Sequence, residues 1–113
     1  MARKKRQRRV PKRSRPFYPL SEVRELVKSG RVLVHSKALD GARDAFGWGI
    51  ADILDAITKL EPRHFYKMDV ARFDPRVVLD FYKATGLKGE NIYTHFYIDD
   101  EEDKLIVNSF KEI

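Results

Sequence analysis

The fold of this chain is decided by the segment Ile92-Tyr93-Thr94-His95-Phe96-Tyr97-Ile98, in which two different sets of side chains alternate. Successive side chains of a β-strand point to opposite sides of the sheet, so the segment has two faces. One face carries Ile92, Thr94, Phe96 and Ile98, and the other carries Tyr93, His95 and Tyr97. The first face is suited to burial in a core, and the second places two phenols and an imidazole on the opposite side.

Further strand-like stretches flank this segment at residues 65–71, 77–83 and 104–111. Turn-forming residues separate the four strands: Asp74-Pro75, the stretch 86–91, and the five-acid run at 99–103. Such short connections are typical of strands that pair antiparallel with their neighbours. The second half of the chain therefore predicts an antiparallel meander.

The first half predicts helices. Apolar residues at helical spacing follow Pro19 and stop at Gly30, and residues 31–35 then form a short strand. A weakly amphipathic helix runs from Ser36, a suitable N-cap, to Gly47, and a clearer one covers residues 50–60. We therefore predict an α+β fold with the helices packed on one face of an antiparallel sheet of four to five strands.

The last predicted strand breaks its own alternation. Leu105 and Val107 share one parity, whereas Phe110 has the other, and Asn108 lies between them. A β-bulge, which is one extra residue in one strand of a pair, accounts for such a break in alternation. It changes the face of the sheet on which the following residues lie. We predict a bulge at Asn108 that changes the direction of Lys111.

Positive charge is concentrated at the N-terminus. Nine of the 23 Lys and Arg residues lie in residues 1–16, so 14 remain from residue 17 onward against all 17 Asp and Glu. A segment this charged has little apolar surface to bury, which predicts a disordered tail over 1–16 and one folded domain over 17–113. Arg8, Arg9 and Arg13 are candidates for RNA binding. The alternatives are a solubilising tail or a wrongly assigned start of the reading frame.

Composition excludes several kinds of site. The chain has no cysteine, so it has no disulfide, catalytic thiol or cysteine zinc ligand. Its three histidines are not spaced as a ligand pair on one helix face, and we expect neither a metal nor another cofactor. The sequence lacks a membrane-spanning stretch and the apolar core of a signal peptide. These features predict a cytoplasmic protein without membrane contact.

Two motifs carry a family resemblance, Phe65-Tyr66-Lys67 and Ser109-Phe110-Lys111-Glu112. Their order, and the segments between them, resemble the motility quorum-sensing regulator (MqsR) family of toxins. The resemblance implies a fold similar to RelE-like toxins. It also implies a metal-independent endoribonuclease of a type II toxin–antitoxin system that cuts mRNA. The expected protein partner is a cognate antitoxin that binds DNA through a helix-turn-helix.

The resemblance also implies the roles of particular residues. Positions implicated in cleavage correspond here to Lys67, Tyr93 and Lys111. Where the family commonly has an implicated glutamine this chain has Leu79, and where it commonly has a lysine this chain has His95.

The chemistry of RNA cleavage assigns roles independently of that resemblance. Without a metal, the ribose 2′-OH attacks its own phosphate, which requires a base, an acid for the leaving oxygen, and cations for the developing charge. Lys67 and Lys111 are the candidate cations. Tyr93 is a poor base unless nearby cations lower its pKa, and His95 is the easier proton carrier. His95 also has a plainer interpretation, a hydrogen bond to a neighbour on its strand.

Tyr82, Lys83 and Tyr97 are candidate RNA-binding residues, because aromatic rings stack on bases and lysines bind phosphates. For the two tyrosines, packing against other side chains is the alternative. Asp80 lies in an apolar strand and needs a partner, for which we expect Lys67 or Lys83.

These observations favour a toxin-like mRNA endoribonuclease. A non-catalytic RNA- or DNA-binding module with a basic arm is the alternative from a different class. A third interpretation is a fold of this kind that is retained only for binding another protein.

Overall fold

The structure is a computed structural model that describes residues 15–113. Residues 1–14 lie outside the described part, and with them most of the predicted basic tail, including Arg8, Arg9 and Arg13. The elements in chain order are α1 (Leu20–Lys28), β1 (Val32–Val34), α2 (Ser36–Phe46), α3 (Ile50–Thr58), a 3₁₀ turn (Pro62–His64), β2 (Phe65–Val70), β3 (Val78–Leu87), β4 (Glu90–Asp99) and β5 (Lys104–Glu112).

The strands form one five-stranded sheet in the order β1-β5-β4-β3-β2. Each of β2 to β5 pairs antiparallel with its neighbour along the chain, as the turn signals predict. The short strand β1 pairs parallel with β5, so the sheet is mixed. The predicted α+β fold, with helices packed on a sheet, is confirmed, and the parallel edge strand is the difference. The parallel pairing arises because the chain runs from β1 at one edge through α2 and α3 to β2 at the other edge. The meander from β2 to β5 then ends beside β1.

The main core lies between the helices and one face of the sheet. The predicted inward face of β4 is fully buried there. Ile53 and Ile57 of α3 are likewise 0% exposed, as the helical spacing predicts. Burying each of the isoleucine and phenylalanine side chains in this core is worth about 1.5–3 kcal/mol before conformational entropy is counted. The helices therefore cover one face of the sheet and hold its strands in place.

The hairpin between β3 and β4 is tighter than the sequence predicts. Its turn consists of Lys88 and Gly89, with φ angles of 53° and 79°. Two successive positive φ angles are the signature of a type I′ turn, whose twist matches that of the flanking strands. The strands consequently extend to Leu87 and Glu90, beyond the residues 77–83 and 92–98 predicted for them.

Asp80 does not pair with Lys67 or Lys83, although the sequence predicts one of them as its partner. It lies on the buried face of β3, opposite to the face that carries Lys67 and Lys83, so neither lysine is its partner. Its carboxylate accepts hydrogen bonds from the backbone N–H groups of Phe17 (3.0 Å) and Tyr18 (2.8 Å). These bonds attach the segment before α1 to the sheet.

Gly41 sets the distance between α2 and β5. A Cβ added at Gly41 would collide with the backbone carbonyl oxygen of Phe110. We expect Gly41→Ala to lower the free energy of unfolding by about 1–3 kcal/mol, because the helix must move away from the strand. Thermal denaturation followed by circular dichroism measures the effect. Gly49→Ala, at the N-cap of α3, is the control for an added methyl group, because a Cβ there meets nothing within 4 Å. Equal midpoints for the two variants would contradict this account of the packing.

Among residues 15–113, no helix is long and apolar enough to cross a lipid bilayer.

Candidate functional site

The second face of the sheet carries a groove of about 600 Å³. Its floor includes Leu79 and Phe81 of β3, and Tyr93 and His95 of β4. Basic side chains from several parts of the chain lie along it. The full lining is His35, Lys37, Lys67, Asp69, Val70, Arg72, Phe73, Leu79, Phe81, Tyr93, His95 and Asn108. An aromatic floor with basic residues around it suits a nucleic-acid strand, whose bases stack and whose phosphates are anionic.

Lys111 reaches this face because of a bulge in β5. His95 pairs with Ser109 and the adjacent Phe96 pairs with Val107, so Asn108 is an extra residue. The predicted bulge at Asn108 is confirmed. Beyond it Lys111 pairs with Tyr93 and lies on the same face, with its Nζ 5.1 Å from the centre of the Tyr93 ring.

Lys67 reaches the same face because of a second bulge, in β2. Phe65 pairs with Tyr82 and Lys67 pairs with Phe81, so Tyr66 is the extra residue. In a regular strand, without the bulge, Lys67 would share the inward direction of Phe65, which packs against the core. With the bulge, the Nζ of Lys67 lies 4.9 Å from the centre of the Phe81 ring on the open face. Two bulges thus turn two lysines toward one surface.

These lysines are not neutralised by acidic side chains. In the part of the chain that the structure describes, neither Lys67 nor Lys111 forms an ion pair. Each ammonium group rests instead against an aromatic ring, a contact that leaves the charge in place. Lys83 does the same, with its Nζ 4.0 Å from the centre of the Tyr66 ring. The positive charge on this face is available to an anion.

Tyr93 and His95 form a pair on the floor of the groove, with the Tyr93 Oη 3.3 Å from the His95 Nδ1. Burial and, to smaller extents in this order, the charges of Lys111, Lys37 and Lys67 together lower the pKa of His95 to about 4. Burial also raises the pKa of Tyr93, with a smaller effect from Tyr66. His95 is therefore a neutral imidazole at pH 7 and Tyr93 a neutral phenol. The lowered tyrosine pKa that a basic role requires is absent.

Tyr82, one of the candidate RNA-binding residues, lies on the opposite face from the groove. It is 0% exposed, on the helix-covered face of β3, and its ring stacks on Phe96 at 5.3 Å. Its Oη has no hydrogen-bond partner among residues 15–113, and burial raises its pKa well above the ordinary value. Tyr82 therefore packs in the core and is not available to stack on a base.

Lys83 and Tyr97 do lie on the open face. Tyr97 is half-buried, and its ring is 6.0 Å from that of Phe73, which is 62% exposed. Both rings line a smaller cavity of about 340 Å³ beside the groove. The predicted residues that the fold brings to one face are thus Lys67, Lys83, Tyr93, His95, Tyr97 and Lys111.

Comparison with known protein families shows to which family the chain belongs. A family model described as motility quorum-sensing regulator, toxin of MqsA, matches residues 15–112, nearly the whole chain. The chain belongs to the MqsR toxin family. It is thus a toxin of a toxin–antitoxin system, with an antitoxin as its partner. No curated protein matches the chain.

Leu79, the residue that the family resemblance aligns with a glutamine, lies on the open face of the sheet. Leu79 is 6% exposed and packs with Ala71 and Phe81 in a small apolar cluster on the open face. It lines the groove, where a glutamine would add an amide. The groove therefore has an apolar surface at that point.

Among the groove residues that the sequence did not single out are His35, Lys37, Arg72 and Phe73. The first two come from the β1–α2 junction, and the others follow β2. Phe73 carried a local signal, since it is an apolar residue in a predicted turn. Lys37 carried none, because its place depends on the pairing of β1 with β5.

Within residues 15–113, no group of three or more His, Asp or Glu side chains is placed to hold a metal ion.

Proposed function

We propose that this MqsR toxin is an endoribonuclease that cuts mRNA by attack of a ribose 2′-OH on the adjacent phosphate, without a metal ion. The observation that carries the proposal is the pair of bulges at Tyr66 and Asn108. They direct Lys67 and Lys111 to the face that holds the Tyr93–His95 pair. Bulges cost pairing in a sheet and are frequent beside active sites, where they re-aim side chains.

Lys67 and Lys111 hold the scissile phosphate and stabilise the charge that develops on it. Fixed cations are most effective where they need not reorient as the charge grows. Both ammonium groups are already held against rings, Lys67 over Phe81 and Lys111 over Tyr93. The attack forms a bond from the 2′ oxygen to phosphorus and breaks the bond to the 5′ oxygen. The products are a 2′,3′-cyclic phosphate and a 5′-hydroxyl end.

The proton transfers fall to the Tyr93–His95 pair. His95 takes the proton of the 2′-OH, because its imidazole is unprotonated at pH 7. Tyr93, whose raised pKa keeps it protonated, donates a hydrogen bond to the phosphate and supplies a proton to the leaving 5′ oxygen. A bound phosphate offsets the lysine charges that lower the His95 pKa, so binding makes His95 a stronger base.

The pH dependence of cleavage tests this assignment. His95 is active when neutral, so kcat/KM, which reports the free enzyme, should fall only as the pH drops through about 4. The acid limb of kcat should lie at higher pH, because the bound phosphate raises the His95 pKa. Circular dichroism at each pH controls for unfolding, and His95→Ala should abolish the limb. A limb of kcat/KM near 6.5, the ordinary histidine value, would contradict the assignment.

The rest of the open face guides the RNA strand. Lys83 binds a phosphate, and Tyr97 stacks on a base, an interaction worth about 1–3 kcal/mol. The basic segment 1–16, mostly outside the described residues, adds affinity that does not depend on sequence. Deleting it should weaken binding and flatten its salt dependence while leaving the map of cut sites unchanged.

The cognate antitoxin binds the edge strand β2 or the groove beside it. As an edge strand, β2 has a row of backbone groups that a partner strand can pair with. Tyr66 and Val70 on β2 are 50% and 43% exposed, which adds apolar contact area. The antitoxin is a DNA-binding helix-turn-helix protein, and the pair acts in the cytoplasm. Expression of the toxin alone should arrest growth, and expression of the adjacent gene should relieve the arrest. Harmless expression of soluble toxin would contradict this role.

The direct test is incubation of the purified protein with RNA of mixed sequence in EDTA, followed by mapping of the new ends. Cyclic-phosphate and 5′-hydroxyl ends are the expected result. RNA that is shifted on a gel but remains intact would instead favour the alternative, a non-catalytic RNA-binding module. The chelator separates metal-independent cleavage from cleavage by a contaminating metal-dependent nuclease.

A further inference from the structure

Lys37 occupies a part of the groove that the proposed chemistry does not use. It is the second residue of α2 and follows β1, the edge strand beside β5. Its side chain lines the same groove as Lys67 and His95. Because β4 lies between β1 and β2 in the sheet, Lys37 and Lys67 approach His95 from opposite sides.

The charge of Lys37 is not used elsewhere in the fold. Its side chain is exposed and, within residues 15–113, forms no ion pair or side-chain hydrogen bond. Other lysines differ: the Nζ of Lys59 lies 2.8 Å from the Asp55 carboxylate, and that of Lys88 lies 3.0 Å from it. A lysine without an acidic neighbour has no stabilising ion pair to lose when it binds an external anion.

The electrostatics of His95 place this charge near the reacting groups. The charge of Lys37 lowers the pKa of His95 more than that of Lys67 does, and less than that of Lys111. Ser109 pairs with His95, the hydroxyl of Tyr93 contacts its ring, and the charge of Lys111 acts on it from the neighbouring strand. The other polar or charged groups around it line the groove: Asn108, Lys67, Lys37, His35, Asp69 and Arg72. Asp69 is the acidic member of that set, so the surroundings of His95 are mainly positive.

We propose that Lys37 binds the RNA phosphate that lies above His95, from the side opposite to Lys67. A phosphate there is held between two ammonium groups from separate elements, α2 and β2, with Lys111 as a third. Lys37 is thus a further phosphate-binding residue of the proposed ribonuclease, and the inference rests on that proposed function.

Binding to an uncleavable substrate tests the contact without depending on cleavage. The probe is an RNA oligonucleotide with every 2′-OH methylated, which removes the nucleophile. We expect Lys37→Gln to flatten the slope of log K against log salt concentration by about 0.7, the value for one phosphate contact on a single strand. Lys37→Arg should keep the slope. The matched control is Lys28→Gln, an exposed lysine at the end of α1 that lies outside the groove. If Lys37→Gln and Lys28→Gln have the same slope, the inference is overturned.

Kinetics and the titration of His95 complete the test. Lys37→Gln should lower kcat/KM on the order of 10-fold to 100-fold, and Lys37→Arg should recover most of it. In the RNA-free protein, NMR titration should show that Lys37→Gln raises the pKa of His95 above its parental value, whereas Lys28→Gln leaves it unchanged. An unchanged His95 pKa in Lys37→Gln would contradict the placement of Lys37. If the parent cleaves no RNA, the proposed function fails, while the binding and NMR measurements still decide the role of Lys37.

Discussion

Replacing Lys67 or Lys111 by Ala should lower kcat/KM for RNA cleavage by about 10²-fold to 10³-fold, the usual loss when a group that stabilises developing charge is removed. Folding should change little, because each lysine forms no ion pair within residues 15–113 and each ring contact at an exposed site is worth about 0.5–1 kcal/mol. The measurements are single-turnover cleavage rates on one RNA and the thermal midpoint of each variant. A large loss of rate with a nearly constant midpoint is the expected combination.

Two further variants sharpen that result. Tyr93→Phe keeps the ring beneath Lys111 and removes the hydroxyl that faces His95, so it isolates the proton-donating role. In the variant that carries both Lys67→Ala and Lys111→Ala, the fold loss of kcat/KM should be smaller than the product of the two single losses. Groups that act on one phosphate behave as a unit. Lys28→Ala controls for net charge. If both single lysine variants cleave like the parent, the site is misassigned.

Asp80→Ala should be the most destabilising of the substitutions considered, at about 3 kcal/mol. It leaves the buried N–H group of Tyr18 and the partly buried N–H group of Phe17 without their carboxylate acceptor, and the loss of a buried partner costs about 1–3 kcal/mol. For a chain of this size the thermal midpoint should fall by roughly 10–20 °C. Calorimetry or circular dichroism measures the change.

The controls separate lost hydrogen bonds from other effects. Asp80→Asn keeps the shape but turns an amide donor toward one of the two N–H groups, so it should also destabilise, though less than Ala. Asp69→Ala removes an exposed aspartate from β2 and should change the free energy of unfolding by no more than about 0.5 kcal/mol. A midpoint for Asp80→Ala within a few degrees of the parent would show that the first residues before α1 are held by other contacts.

The local pattern of the sequence predicted much of the fold. Alternation in residues 92–98 identified both faces of β4, and the broken parity between Val107 and Phe110 located the bulge in β5 before any pairing was known. These features are readable because they depend on neighbours along the chain. The bulge at Tyr66 left a weaker trace: regular alternation would place Lys67 on the buried side with Phe65, a conflict that sequence analysis did not use.

Other predictions failed because they concerned pairs of residues from distant parts of the chain. Asp80 was expected to pair with Lys67 or Lys83, whereas its carboxylate accepts backbone N–H groups that precede α1. For Tyr82 the sequence left both base stacking and packing open, and its parity in β3 places it under the helices. A strand pattern shows that two faces differ, and only the position of the helices decides which face is covered.

The sequence by itself determined the class of fold, the strand faces, the β5 bulge and the motifs that mark the MqsR family. It did so because side-chain alternation, turn chemistry and helical spacing are local properties. Only the tertiary structure decided that β1 pairs with β5, that Lys37 joins the groove, and that His95 has a pKa of about 4. Burial and the charge of neighbours from separate elements set a pKa, and these exist only once the chain has folded.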